Sequence, residues 1–537
     1  MKATMMDAPL TLPHILERAG RLFGASEVVS RLPDRSIHRY RYADFYRRSR
    51  ALAGALQKLG LRRGDRVGTL MWNHYLHLEA YFAVPCAGGV LHTLNLRLHA
   101  DDLAYIIQQA GDRFVIVDDV LLPLLDGIRD RIQPERVIVA PIGGKGASGQ
   151  DDDYEQLIQE APTSFDYPDI AEKDPLGLCY TSGTTGHPKG VVYSHRSTVL
   201  HTLGLGLPDS LDIGNRDTVL PVVPMFHVNA WGLPFLCAMV GARQVFPGPH
   251  LDGESLLDLF EREKVTLTAG VPTIWMGVLQ ALEQAPRRWK LQSGMRMVVG
   301  GSAAPESMIQ AFDRHNLEVI HAWGMTETSP LGTVSRVKGS LDSLGSGEKY
   351  ALRARQGLPV PLVELRAVSE EGECPWDGES MGELQVRGPW VASSYCDRGE
   401  GPQQWTQDGW FRSGDVVTID SEGYVKITDR TKDLVKSGGE WISSVDLENS
   451  LMGHPAVQEA AVIAVPHPKW QERPLAVVVL REGSTVEADE LRTHLQARFA
   501  KWWLPDGFEV VEEIPKTSAG KFLKSKLRQQ FKDWKPR

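Results

Sequence analysis

Short apolar runs alternate with amphipathic stretches through the first two thirds of this 537-residue chain. Apolar runs of strand length, separated by stretches of helical periodicity, are typical of parallel strands joined by helical crossovers. One unit is explicit, because a helix is predicted from an N-cap at Asp44 to a stop at Gly60, with a strand following over residues 66–72. Further strands are predicted at residues 114–117, 137–140, 176–180, 219–223, 265–269, 295–299 and 317–321. The sequence therefore predicts an α/β body.

The pattern changes after about residue 430. Short strands are predicted at residues 460–465, 475–480 and 508–512, around a helix near residues 489–500. The intervening stretch, DRTKDLVKSGGEW at 429–441, mixes charges with paired glycines, as a flexible junction would. We therefore predict an α/β protein in which residues 1–430 form a large N-terminal body of α/β subdomains and residues 431–537 form a small, mobile α+β C-terminal domain.

The net charge indicates which partners the protein can bind, and the cysteines indicate the redox state of its compartment. The net charge of -9 argues against a nucleic-acid partner, because phosphate-backbone binders usually carry a basic surplus. The five cysteines are odd in number, scattered and outside any CxxC pair, which indicates a reducing compartment rather than a disulfide framework or a zinc site. No stretch reaches about 18 consecutive apolar residues. We expect a cytoplasmic protein without stable membrane insertion.

The segment at 180–190, YTSGTTGHPKG, follows an apolar strand and has the composition of a phosphate-binding loop. Its glycines let backbone amides approach an anion, its hydroxyls can donate to phosphate oxygens, and its lysine supplies mobile positive charge. The spacing differs from the Walker pattern GxxxxGK[ST], so an ordinary P-loop ATPase is not predicted, and a plain Ser/Thr/Gly-rich surface turn would have the same composition. The candidate phosphate ligands are Thr181, Ser182, Gly183, Thr184, Thr185 and Lys189.

Six further segments carry chemistry-bearing residues in a fixed order. They are PMFHVNAWG (224–232), VVGGSAAP (298–305), HAWGMTE (321–327), GWFRSGD (409–415), DRTKDLVKSGGEWIS (429–443) and PKTSAGK (515–521). Together with the 180–190 loop they resemble the adenylate-forming superfamily of acyl-CoA synthetases, adenylation domains and luciferases, in order and in spacing. Any one motif alone would be weak, but the seven span most of residues 180–521. The subgroup that the sequence resembles most is the medium- and long-chain fatty acyl-CoA synthetases.

The resemblance assigns the catalytic residues. It implies that Glu327, with Thr181, holds Mg²⁺ and that Thr326 contacts the α-phosphate; a carboxylate is a suitable ligand for this hard cation. Lys521 is implied to drive adenylation, and a cation aimed at phosphorus would stabilise the charge that develops there. A solvated surface charge is the alternative for Glu327 and for Lys521, each taken alone.

The resemblance also assigns the residues that bind the nucleoside and those that the small domain brings to the site when it rotates. Asp415 would accept the ribose hydroxyls with help from Arg430, Lys432 would be the hinge, and Lys436 and Trp441 would contact the adenylate after the small domain rotates. The adenine would be walled by Gly301, Ser302, Ala303, His321, Ala322 and Trp323.

The segment PMFHVNAWG points to the acid. The resemblance places His227 beside the reacting carboxylate, Trp231 at the gate of an acyl tunnel, and Val228 among the substrate-binding residues. If the segment is helical, His227 and Trp231 share a face, although an irregular backbone is equally compatible. No Lys or Asp lies in this segment to bind an amino-acid headgroup, which disfavours an amino-acid adenylating domain.

We therefore expect an ATP-dependent fatty acid–CoA ligase, an acid–thiol ligase that forms acyl-AMP and pyrophosphate and then acyl-CoA and AMP. Its partners would be a medium- or long-chain fatty acid, ATP and coenzyme A, with Mg²⁺ as the cofactor, and the resemblance implies a homodimer. Three alternatives stay open: a CoA ligase for a short-chain or methylmercaptopropionate-type acid, an adenylating enzyme that loads a carrier protein, and a luciferase-like oxygenase.

Overall fold

The computed structural model describes residues 1, 3–162, 164–181, 188–396, 404–437, 440–517 and 521–535. Within these ranges, the largest sheet has nine strands. Its five interior pairings are parallel, and the strands at both edges pair antiparallel. The strand order is Leu358–Pro359, Leu331–Val334, Leu317–Gly324, Met295–Val299, Leu267–Gly270, Thr218–Pro221, Arg243–Phe246, Glu27–Arg31 and Ile37–Arg41.

A second sheet has seven strands among the described residues and is parallel except at one edge. Its antiparallel edge is the hairpin of Pro175–Tyr180 with Gly190–Ser194, whose connection is the predicted phosphate loop. The strand order is Asp152–Asp153, Arg136–Ala140, Asp112–Asp118, Arg66–Leu70, Val90–Thr93, Pro175–Tyr180 and Gly190–Ser194. These two sheets confirm the predicted α/β body, and each strand predicted there exists within two or three residues of its expected bounds.

Two antiparallel-rich sheets follow in the part of the chain that the structure covers. The first contains Gly372–Glu373, Glu364–Ser369, Gly382–Arg387, Phe411–Ile419 and Val425–Arg430 in that spatial order. The second has the order Glu440–Ile442, Val435–Ser437, Gln471–Leu480 and Val457–His467, with Gly507–Val510 paired in parallel to Gln471–Leu480. The last strand of the first ends at Arg430, and the second begins at Val435. The predicted change to an α+β arrangement near the C-terminus is therefore present.

Helices cover the sheets, and one of them lies in the main core. Helix Tyr75–Cys86 is buried at every position from Leu76 to Cys86, as expected for a helix enclosed by other elements. The other helices are Leu12–Leu22, Tyr42–Lys58, Ala100–Ala110, Leu122–Asp126, Tyr154–Gln159, His195–Leu205, Leu233–Val240, Gly253–Glu263, Pro272–Gln284, Glu306–Asp313, Ser346–Ala354, Ser444–Met452, Ala488–Gln496 and Lys524–Gln530. Single 3₁₀ turns lie at Asp119–Leu121, Arg129–Arg131, Thr326–Thr328, Gly339–Leu341 and Lys501–Trp503. No helix within the described ranges has the length and apolar character needed to cross a membrane.

One detail of the sequence interpretation is wrong. The second helix begins at Tyr42 with Arg41 as its N-cap, so Asp44 lies in the first turn. Its carboxylate accepts a hydrogen bond from the Arg41 backbone N–H at 3.3 Å. Acidic residues are favourable both at an N-cap and in the first turn, so Asp44 marks the start of this helix without fixing its first residue. The predicted stop is confirmed, because the helix ends at Lys58 and Gly60 follows with φ +94°.

Candidate active site

Parallel strands bring the predicted segments to one edge of the nine-stranded sheet. Strands Met295–Val299 and Leu317–Gly324 pair in parallel, so residues 300–303 and 325–327 emerge side by side at their carboxyl ends. This edge is where open α/β sheets usually place ligands. A cavity of about 390 Å³ opens here. The predicted site residues that line it are Thr181, Lys189, His227, Val228, Trp231, Gly301, Ala322, Trp323, Thr326, Glu327, Arg430, Lys432 and Lys521.

A second cavity, of about 400 Å³, shares a wall with the first along Gly301, Ala322, Trp323, Arg430 and Lys521. It adds the other residues predicted to surround the nucleoside, which are Ser302, Ala303, His321 and Asp415.

Two predicted residues within the described ranges, Lys436 and Trp441, are not brought to these cavities. Lys436 and Trp441 face each other across paired strands, with the Lys436 Nζ 4.5 Å from the centre of the Trp441 ring, and line neither cavity. Ser182, Gly183, Thr184 and Thr185 lie outside the described residues.

The stem of the phosphate loop is fixed by backbone pairing. The Thr181 N–H donates to the Lys189 carbonyl at 2.9 Å, and the Lys189 N–H donates to Thr181 Oγ1 at 3.1 Å. The Lys189 ammonium lies 4.9 Å from the centre of the Tyr395 ring and 3.4 Å from Gln404 Oε1. The stem therefore presents one hydroxyl and one cation to the cavity.

Glu327 is a buried carboxylate in the 3₁₀ turn that follows strand Leu317–Gly324. Tyr395 donates a hydrogen bond to its Oε1 at 2.6 Å. Burial raises the pKa of Glu327, while the Tyr395 hydrogen bond and the positive charges of Lys521 and Lys189 oppose that change. A buried carboxylate with one hydrogen-bond donor is able to bind a metal cation, or a ligand that carries one.

The donor set near Glu327 fits a hard divalent cation. Carboxylate and hydroxyl oxygens, here Glu327 and Thr181, are the ligands that Mg²⁺ prefers. Among the described residues, no three His, Cys, Asp or Glu side chains gather around one point. An ion at this place would therefore complete its shell with phosphate oxygens and water.

The predicted ribose site is held by contacts between distant parts of the chain. The Trp323 indole N–H donates to Asp415 Oδ2 at 2.8 Å, and Arg430 Nε lies 3.4 Å from Asp415 Oδ1. Asp415 and Arg430 are directly opposite each other on paired strands. The Asp415 carboxylate is thus oriented from both sides at the cavity edge.

Lys521 reaches both cavities from the C-terminal part of the chain. Burial lowers the pKa of its ammonium to about 8, with Arg430 and Lys432 acting in the same direction and Asp415 and Glu327 opposing. Burial also lowers the pKa of Lys432. Four basic residues, Lys189, Arg430, Lys432 and Lys521, therefore converge on one cavity, an arrangement suited to a polyanion.

His227 and Trp231 lie on opposite ends of a left-handed turn. Residues 228–231 all have φ between +45° and +58°, so the right-handed helical alternative considered for this segment is wrong. The turn places Trp231 against Gly300, where an added Cβ would lie 3.0 Å from the indole Cη2. A side chain at position 300 would therefore require Trp231 to shift by a few tenths of an ångström, so the close packing of this indole favours glycine there.

The first cavity also has an apolar part to its lining. Leu205, Leu211, Leu233 and Leu331 line it. Burial lowers the pKa of His227 to about 4, with the positive charges of Lys521 and Arg97 adding to the effect, so the imidazole is neutral at pH 7. The cavity is therefore lined by both cationic and apolar side chains, and His227 is part of the same lining.

Tyr395 and Gln404 are among the cavity residues that were missed from the sequence. Both contact predicted site residues. Tyr395 follows the stretch GPWVASS at 388–394, in which we recognised no motif. No local pattern marks it as a partner of Glu327, which is 68 residues away.

Comparison with known proteins gives relatives along the full chain. The chain is 53% identical over 535 residues to a long-chain-fatty-acid–CoA ligase of Thermus thermophilus, covering 99% of this chain and 97% of that protein. It is 46% identical over 543 residues to a 3-methylmercaptopropionyl-CoA ligase of Ruegeria lacuscaerulensis, covering 99% of each.

A solved structure is also similar over its whole length. The crystal structure of the anthranilate CoA ligase AuaEII in complex with anthranoyl-AMP superposes with a TM-score of 0.87 at 26% identity, covering 99% of each chain. The family model for AMP-binding enzymes matches residues 17–396, and the model for the AMP-binding enzyme C-terminal domain matches residues 446–521. This chain, with its cavity at the carboxyl ends of the sheet strands, belongs to the AMP-binding enzyme family.

Proposed function

We propose that this protein is an ATP-dependent fatty acid–CoA ligase. It joins a medium- or long-chain fatty acid to AMP with release of pyrophosphate, and then transfers the acyl group to coenzyme A with release of AMP. The observation that carries the proposal is that one cavity is lined both by the cations Lys189, Arg430 and Lys521 and by the apolar side chains Leu205, Leu211, Leu233 and Leu331. The long-chain-fatty-acid–CoA ligase of Thermus thermophilus, 53% identical, supports the choice of acid.

In the first step a carboxylate oxygen of the acid attacks the α-phosphorus of ATP, and the bond to pyrophosphate breaks. Lys521 stabilises the negative charge that develops on the phosphate oxygens, and Thr326 hydrogen-bonds to the α-phosphate. Asp415, oriented by Trp323 and Arg430, accepts the ribose hydroxyls. The neutral His227 beside the carboxylate forms a hydrogen bond without adding charge.

Further parts of the proposed site bind the rest of the nucleotide. The 181–189 loop holds the phosphates, with Thr181 and Lys189 at its stem. Glu327 and Thr181 would hold Mg²⁺, which supplies charge neutralisation for the β- and γ-phosphates. The adenine lies against the wall formed by Gly301, Ser302, Ala303, His321, Ala322 and Trp323.

The second step needs a thiol to approach the acyl carbon while its proton leaves to solvent or to a base, and AMP departs. We propose that residues 431–537 rotate as a domain about Lys432 between the steps, replacing Lys521 with Lys436 and Trp441. The support is that Lys521 lines the cavity in this structure while Lys436 and Trp441 line neither cavity.

We further propose a cytoplasmic homodimer. Four cysteines, Cys86, Cys179, Cys237 and Cys374, are buried as thiols, which is consistent with a reducing compartment. Sedimentation or light scattering of the purified chain would test the dimer.

The deciding experiment measures pyrophosphate release and thioester formation over a panel of acids from butyrate to palmitate, with and without coenzyme A. We expect thioester with medium or long chains, and loss of both products in Lys521→Ala. Lys526→Ala, an exposed lysine in the same C-terminal region, is the matched control and should keep full activity. Pyrophosphate without thioester would refute the coenzyme A assignment and indicate a carrier protein as the acceptor.

A second candidate substrate has its own support. The relative from Ruegeria lacuscaerulensis, 46% identical, is a 3-methylmercaptopropionyl-CoA ligase. Including 3-methylmercaptopropionate in the panel separates the two, because a preference for this short acid over octanoate and palmitate would favour the second candidate.

A further inference from the structure

Tyr395 makes a direct contact with the carboxylate at the centre of the cavity. Its hydroxyl donates to Glu327 Oε1 at 2.6 Å, within the range of a charge-assisted hydrogen bond. In the described part of the chain, it is the one side chain of another residue that donates to this carboxylate. This hydrogen bond is made by Oε1, so among the described side chains Oε2 has no donor that competes with a cation or a water molecule.

The chain segment that carries Tyr395 is attached to the Glu327 segment by bonds that do not involve the phenol. The Ala392 N–H donates to the Glu327 carbonyl at 2.7 Å. Trp390 contributes twice: its carbonyl accepts from Ser329 Oγ at 2.7 Å, and its indole N–H donates to the Leu331 carbonyl at 2.9 Å. Removing the Tyr395 hydroxyl would therefore leave the segment in place.

The Tyr395 ring also has contacts that do not involve its hydroxyl. The Trp405 ring packs against it edge to face with 5.1 Å between centroids, and the Trp405 indole N–H donates to the Ala392 carbonyl at 2.7 Å. The Lys189 ammonium lies 4.9 Å from the ring centre. The phenol is thus presented to Glu327 from a fixed direction, next to the cation of the phosphate loop.

We propose that Tyr395 is a positioning residue for Glu327, fixing the plane of its carboxylate so that one oxygen is presented to the divalent cation of the bound nucleotide. The inference rests on the proposed function, since that function gives Glu327 its cation. A glutamate carboxylate rotates over a broad torsional range, and a hydrogen bond to one oxygen removes this freedom. Partners of this kind, behind a metal ligand, typically change metal affinity by about 10- to 100-fold.

The test is an equilibrium titration of Mn²⁺ into the enzyme with a non-hydrolysable ATP analogue, following free Mn²⁺ by electron paramagnetic resonance. In Tyr395→Phe we expect the dissociation constant to rise by about 10- to 100-fold. The matched control is Tyr424→Phe, because Tyr424 is buried and its hydroxyl donates to the Arg336 carbonyl at 2.8 Å, away from both cavities. The control should keep the parent affinity.

A double variant distinguishes positioning from general loosening. If Tyr395 acts through Glu327, the effect of Tyr395→Phe disappears in a Glu327→Gln background, because coupled residues are not additive. An unchanged Mn²⁺ affinity in folded Tyr395→Phe, with a weakened Glu327→Gln, overturns the inference alone. An unchanged affinity in both variants overturns the inference together with the metal role of Glu327, while thioester formation by the parent tests the proposed function separately.

Discussion

The lowered pKa of Lys521 makes a quantitative prediction for adenylation. With a pKa of about 8, roughly 90% of Lys521 is protonated at pH 7 and roughly 9% at pH 9. The protonated form is the active one, so kcat/KM for the first step falls as pH rises through 8, by about tenfold between pH 7 and pH 9. A lysine with an ordinary pKa near 10.4 would give almost no change over this range.

The assay is the exchange of pyrophosphate into ATP at subsaturating ATP, because kcat/KM reports the free enzyme. Coenzyme A is left out, since its thiol titrates in the same range. The control is Lys521→Arg, whose guanidinium stays charged, so its profile should be flat to pH 9 even if its rate is lower. A flat profile for the parent protein, or the same fall in Lys521→Arg, would refute the reasoning.

Two further substitutions test the walls of the cavity. Trp323→Phe removes the indole N–H bound to Asp415, a hydrogen bond to a charged group worth about 1.5–3 kcal/mol, so KM for ATP should rise by about 10- to 150-fold in steady-state kinetics. Trp410→Phe, which lies outside both cavities, is its control, and an equal rise there would count against a specific role. Gly300→Ala places a Cβ 3.0 Å from Trp231 Cη2, so the indole has to shift; overpacking of this kind costs about 1–3 kcal/mol of folding stability, and the shifted indole should lower kcat/KM for the acid. Adding Trp231→Phe should restore part of that loss, and a Gly300→Ala enzyme with parent kinetics would contradict the packing argument.

The elements and most of the cavity could be predicted because their signals are local. Strands Met295–Val299 and Leu317–Gly324 are mostly apolar and mostly buried, and the polar residues that follow them must meet at one sheet edge if the strands are parallel. Asp415 was assigned through its motif, but its bond to Trp323 joins residues 92 positions apart and depends on how two sheets meet. Sequence patterns carry no information on such a distance.

Two features had no local signal at all. The hydrogen bond from Tyr395 to Glu327 depends on where the connection between strands Gly382–Arg387 and Phe411–Ile419 passes the cavity. A tyrosine in a loop is compatible with many roles. The left-handed turn at 228–231 contains Val228, a β-branched residue that disfavours positive φ, so residue types there argue against the observed backbone. Tertiary contacts decide both.

The left-handed turn has an energetic consequence for the acid. Val228, Ala230 and Trp231 each adopt a left-handed conformation that costs about 1–2 kcal/mol relative to the right-handed one, and Asn229 tolerates it better, so the turn stores about 3–6 kcal/mol of strain. That is a large share of the roughly 5–15 kcal/mol by which folded domains are stable. Contacts just before the turn compensate part of it, since Asn73 binds the Val223 carbonyl at 2.9 Å and the Met225 N–H at 2.7 Å. If Trp231 gates an acyl tunnel, as the resemblance implies, its displacement would relax a strained turn, and the relief of that strain would lower the free energy of the open form.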